Sequence, residues 1–183
     1  MMNPFEKCPV YETGRFLMRK LEEKDTEALF ACYSDPEAAI FFNGDCCGDD
    51  FYYTDIEKFR NCVEYWLSRY EAGDFVRWSI QDKERQLLIG TVEVCPSLKY
   101  AVDGKTMGIL RIDLKSDYER QDVLKELLDV LLKHVYEDFQ VASVLMKIQK
   151  GADERQKLIR KYCFVPAKDE CNISFSDYYV SYK

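Results

Sequence analysis

The sequence predicts an α/β fold with elements in the order β-α-α-β-β-β-α-β-α-β-β and at least one parallel crossover. Three observations predict it. Helical and alternating periodicities succeed one another along the chain. Polar turns separate strand-like runs, at "DKER" between "FVRWSIQ" and "QLLIGTVEV" and at Asp103-Gly104. A long amphipathic stretch stands between "TMGILRIDL" and "ASVLMKIQ". Two strands joined through a helix imply a parallel crossover, here between 106–114 and 142–149.

In chain order, "RFLMRKL" alternates like a strand, and "EEKDTEALFACYSD" follows as a helix with Ala28, Leu29, Cys32 and Tyr33 on one face. "SDPEAAIFFNGD" is a broken turn of helix that ends at Asn43-Gly44. Thr54 to Glu57 has the spacing of a capping box, in which hydroxyl and carboxylate satisfy each other's free amides. Behind it, Ile56, Phe59, Val63, Trp66, Leu67 and Tyr70 recur at helical spacing until Gly73. After the hairpin strands comes a helix with Leu124, Leu127, Leu128, Leu131, Val135 and Phe139 as its core stripe. "ADERQKLIRKY" is the last helix; "FVPAKDE" and "ISFSDYYVSY" close the sheet.

A length of 183 residues fits a single domain over 1–183. The net charge of -7 disfavours nucleic acid as a partner, because such binding relies on Lys and Arg neutralising phosphates. No basic-then-apolar leader opens the chain and no apolar run reaches the ~20 residues a membrane span needs. None of the eight cysteines forms a C-x-x-C pair, and Cys46 and Cys47 are adjacent, so they are expected as reduced thiols in the cytoplasm with no metal site. His134, the sole histidine, is expected at a helix boundary rather than as a general base.

Three stretches carry a resemblance. "TGRFLMRKLEEKDTEALFACYSDPEA" opens with Thr-x-Arg and closes a helix on Ser-Asp-Pro. "YEAGDFVRWSIQDKERQLLIGTVEV" holds a W-x-I…L-I-G hairpin, and a strand, loop, helix, strand and helix run from Met107 to Phe164. In order and spacing the chain resembles GNAT-type N-acetyltransferases, in the subgroup that acetylates ribosomal-protein N-termini, and that resemblance implies a mixed, mostly antiparallel sheet of about six or seven strands with helices on both faces. The resemblance implies acetyl-CoA as cofactor and a small-molecule amine or peptide N-terminus as partner, with the protein a monomer or homodimer. It implies that the donor lies where the fourth and fifth strands part, its pyrophosphate on backbone amides at the next helix N-terminus. Leu114, Glu119, Arg120, Gln121, Asp122, Val123 and Leu124 fall at those positions.

The family's loop reads Q/R-x-x-G-x-G/A, whereas this chain has Asp117 first and Arg120 and Asp122 in place of the glycines. Ser116 to Glu119 also has capping-box spacing, which predicts a helix start by Glu119, a turn early. Asp122 stands where a capping carboxylate would take the phosphate's amides. Weak acetyl-CoA binding is the resulting expectation, and the alternative reading is a GNAT-fold pseudoenzyme acting as a binding module. In the last helix, Ala152 replaces the family's asparagine, Arg155 its small residue and Cys163 the glycine before Phe164. Its usual acid tyrosine falls at Ile159, with Tyr162 one turn on. Catalytic candidates are thus Tyr162 as acid and Glu93 or Asp113 as base. The resemblance also implies that the first two helices overhang the acceptor site, which makes Tyr52, Tyr53 and Trp66 the candidate substrate walls.

Overall fold

A computed structural model describes residues 3–45, 47–102, 104–167, 171 and 173–183. Cys46, the Asp103 half of the expected turn and residues 168–170 of the closing strands lie outside them. The strands are β1 (Tyr11–Glu12), β2 (Phe16–Lys20), β3 (Val76–Asp82), β4 (Leu87–Val102), β5 (Lys105–Leu114), β6 (Ser143–Lys147), β7 (Val165–Pro166) and β8 (Tyr178–Tyr182). They form one sheet in the order β1-β2-β3-β4-β5-β6-β8-β7. The one strand beyond the seven expected is the two-residue β1, while β7, within "FVPAKDE", is only two residues long. Every pairing is antiparallel except β5 with β6, which is parallel as the crossover requires.

Alternation divides the sheet's side chains between two faces. Trp78, Ile80, Val92, Val94, Leu110 and Ile112 point to one face. There they meet α4 (Gln121–Asp138) through Leu124, Leu127, Leu131 and Val135. The other face is covered by α1 (Thr26–Tyr33) and α3 (Ile56–Glu71), whose Leu29, Tyr33, Phe59, Val63 and Trp66 form a second core. Ala28, expected on the inner face of α1, is exposed, and Thr26 takes its place. The short α2 (Pro36–Ala39) is capped by Asp35, and α5 (Asp153–Ile159) packs beside α4. His134 is half-buried and stacks on Tyr11, with centroids 5.3 Å apart.

Two helix starts differ from the sequence expectation. Asp55, not Thr54, caps α3: it is extended, and its carboxylate accepts the Glu57 amide at 2.9 Å. The Ser116–Glu119 box does not form, because both the amide and hydroxyl of Ser116 donate to Asp35, at 3.0 and 2.6 Å. A single 3-10 turn covers Ser116–Tyr118. Glu119 (φ -77°, ψ 63°) then makes an inverse γ-turn, closed by the Arg120 amide on the Tyr118 carbonyl at 2.8 Å. Helix α4 therefore starts at Gln121, with Arg120 extended as its N-cap.

Candidate active site

A row of charge crosses the face of the sheet under α1 and α3. The register pairs Arg77 with Glu93 and Glu93 with Arg111, and in the next row Ser79 with Thr91 and Thr91 with Asp113. All six side chains are buried. Arg77 donates through Nε to Glu93 at 3.1 Å and through Nη1 to Asp113 at 3.3 Å, and Arg111 Nη2 reaches Asp113 at 3.2 Å. The Tyr33 hydroxyl donates to Asp113 at 3.0 Å and lies 2.7 Å from Thr91 Oγ1. Two guanidinium groups thus balance two carboxylates, the condition under which buried charge is tolerated. Burial pushes the Asp113 carboxyl up, but Arg111 and Arg77 outweigh it and hold the group below the ordinary carboxylate value.

Above this row lies a cavity of about 560 Å³. Phe51, Tyr53, Trp66 and Phe75 wall it, and Glu93 and Arg111 form its charged floor. Trp66 stacks on Arg77, with the guanidinium carbon 3.8 Å from the ring centroid, and Arg111 lies 4.4 Å over Phe51. The Tyr53 hydroxyl bonds Asp49. The buried Nε of Arg111 has no hydrogen-bond partner among the described residues. Cys62 also lines the cavity, but burial pushes its thiol up to about 11, so it is not a thiolate at neutral pH. Among the described residues no cluster of His, Cys, Asp or Glu is placed to hold a metal ion.

The sequence candidates separate here. Glu93, Tyr53 and Trp66 line the cavity together; Tyr52 is more exposed and does not. Asp113 lies beneath the floor, locked between the two arginines. Tyr162 is not brought to the cavity. After α5 a 3-10 turn (Arg160–Tyr162) ends at the left-handed Cys163, and the Tyr162 hydroxyl donates to Asp129 on α4 at 2.6 Å. Burial and that carboxylate push its pKa up.

At the N-terminus of α4 the first i to i−4 bond runs from the Leu124 amide to the Arg120 carbonyl, at 3.0 Å, and no side chain caps the helix. The amides of Gln121, Asp122 and Val123 precede that bond and face the helix end. Asp122 does not take them, contrary to expectation. Its carboxylate turns outward to Arg120 at 3.1 Å and Arg15 at 2.7 Å, which hold it well below the usual carboxylate range. Glu119 turns to Arg155, at 2.8 Å from Nη2. Leu114, Val123 and Leu124 have core side chains, and the Leu124 amide is spent on Arg120, so of the three Val123 alone offers a first-turn amide. The phosphate end of a nucleotide-like donor fits this terminus. The gap between β5 and β6, which pair only from Met107 to Ile109, is filled by Arg155.

The sequence reading missed Arg77, Arg111 and Phe51. A signal was present: "FVRWSIQ", "GTVEV" and "LRIDL" each carry a charged residue between apolar ones, and a charge in a strand's interior calls for a partner across the sheet.

The chain is 27% identical over 84 residues to the uncharacterised N-acetyltransferase YoaA of Bacillus subtilis, a match that spans 46% of this chain and 44% of that protein. Solved structures share the architecture. A putative ribosomal-protein-serine acetyltransferase from Vibrio cholerae is similar with a TM-score of 0.72 at 12% identity, over all of both chains. The ribosomal L7/L12 alpha-N-protein acetyltransferase RimL, in complex with coenzyme A, has a TM-score of 0.71 at 14% identity over 95% of this chain and 98% of its own. These likenesses show the fold. From residue 15 to residue 165 the sequence matches the model of the acetyltransferase (GNAT) domain, and the chain therefore belongs to the GNAT acetyltransferases, whose acetyl donor is acetyl-CoA.

Proposed function

We propose that the protein transfers the acetyl group of acetyl-CoA to a primary amine, on a small molecule or a peptide N-terminus. The observation that carries this reading is the start of α4 at Gln121, which leaves first-turn amides for a pyrophosphate directly after β5. Bound acetyl-CoA supplies an activated thioester carbonyl. The chain's own residues hold the amine against it. In this reading Phe51, Tyr53 and Trp66 take the apolar body of the acceptor, and Arg111 donates to a carbonyl or carboxylate oxygen on it. Glu93 accepts the ammonium proton, because it alone of the two candidate bases borders the cavity. Asp113 positions Arg111 and Arg77. Among the described residues, thiols without a disulfide partner on Cys8, Cys32, Cys62, Cys95, Cys163 and Cys171 support the cytoplasm as its compartment.

Calorimetric titration with acetyl-CoA and with free CoA, followed by mass-spectrometric detection of acetylated products from an amine and peptide panel, tests the reading. Saturable heat and a product heavier by one acetyl group are expected. No binding of either nucleotide up to millimolar concentration would rule it out and favour a binding module.

A further inference from the structure

The parallel pairing of β5 and β6 stops at Ile109 and Leu145, and beyond it the strands part. A strand edge left without its neighbour is the natural dock for an extended, amide-bearing ligand arm. Here that edge is already engaged. Arg155, from α5, enters the gap with its side chain 5% exposed and donates through Nη2 to the Ile112 carbonyl at 2.7 Å. Its other hydrogen bonds go to Glu119, through Nε at 2.5 Å and Nη2 at 2.8 Å, and its guanidinium carbon lies 5.9 Å from the Phe41 ring centroid. Phe41 and Asn43 roof the gap. Their segment is tied down by Gln149 on the Phe42 carbonyl at 3.0 Å, Asn43 on Tyr178 at 3.0 Å and Lys147 on Asp45 at 2.5 Å. The space that remains is about 10 Å³, room for one water at most.

We propose that Arg155 and Glu119 form a gate on the donor slot. The inference rests on the acetyl-CoA reading and adds to it: the phosphate cradle stands ready while the slot for the donor's arm is held shut by the protein's own guanidinium. Entry requires Arg155 to leave both the Ile112 carbonyl and Glu119. Glu119 is the centre of the γ-turn that delivers the chain to Gln121, so the gate and the cradle share one residue. Breaking a buried ion pair is unfavourable, so the open form is a minor state. The apparent donor affinity is then the intrinsic one scaled by the open fraction.

The test is the double variant Arg155→Ala/Glu119→Gln, which opens the slot without stranding either charge, with Arg155→Ala alone as a second variant. Folding of each is checked by circular dichroism. CoA binding is measured by calorimetry, and association and dissociation rates by stopped flow. The gate predicts that the double variant binds CoA on the order of tenfold to a hundredfold more tightly than wild type. The gain should appear in the association rate. Equal affinity and equal association rate in wild type and variants overturn the gate and leave the donor reading standing. Absence of CoA binding in all three proteins overturns the donor reading itself, and the gate with it.

Discussion

Asp113 shows how one residue can hold a charged row together from beneath the cavity. It is 2% exposed and takes contacts from Arg77, Arg111 and Tyr33. Replacement by Asn leaves two buried guanidinium groups facing one carboxylate, and loss of one member of such a pair costs about 3–5 kcal/mol. Urea unfolding of Asp113→Asn should show a loss of that size; a loss under about 1 kcal/mol would mean that water reaches the row. The pH dependence follows from the direction of its shift. Burial raises the carboxyl, Arg111 and Arg77 lower it by more, and the folded value ends below the unfolded one. Its contribution is therefore complete above an unfolded value of ~4 and is lost as pH falls through the folded value. Wild-type stability should decline below about pH 4, and more steeply than that of the variant. On the cavity floor, Glu93→Gln should lower kcat with little change in acceptor KM, whereas Arg111→Met should mainly raise KM. A pH–rate profile with an acid limb in wild type that is missing in Glu93→Gln would support the base; the same limb in both would remove Glu93 from that role.

At the scale of elements, helix starts decide what the molecule offers. Asp55 caps α3 through its carboxylate, so Asp55→Ala should cost about 1 kcal/mol and Thr54→Ala less than about 0.5. Equal losses at both positions would restore the threonine box. The start of α4 admits a sharper test. Arg120 is extended (φ -129°, ψ 151°), a conformation suited to the residue before proline, and Gln121 is the first helical position, where proline is tolerated. Gln121→Pro removes one amide from the cradle while leaving the helix in place. It should unfold within about 0.5 kcal/mol of wild type yet bind CoA roughly tenfold more weakly, the loss of one charge-assisted bond. Unchanged affinity would place the phosphates elsewhere.

For the whole molecule, donor binding and stability are linked. CoA at about a hundred times its dissociation constant should raise the unfolding free energy by about 2.7 kcal/mol, seen as a concentration-dependent rise in Tm. A Tm that stays constant through saturation would show equal affinity for the unfolded chain. The resemblance to the family carried the layers and the helices on both faces; the sequence alone determined the succession of strands and helices and the parallel crossover through the helix between β5 and β6. These follow from periodicity, which local residues carry: Leu124, Leu127, Leu131 and Val135 mark a stripe whatever lies against it. The resemblance to the family brought Glu93, Tyr53 and Trp66 forward. Only the tertiary structure decided the rest. The Arg77–Glu93–Arg111 row exists because register across three strands, shifted by an irregularity between Ile80 and Gln81, sets those residues side by side. The Ser116 box fails because Asp35, far away in sequence, takes the hydroxyl. Asp122 leaves the helix amides open because Arg15 draws it outward from another element. Arg155 closes the donor slot because β5, the Glu119 turn and α5 converge on one point. Each of these outcomes is a choice of partner between distant segments, and a choice among partners is settled by distance and burial, which a linear pattern does not contain.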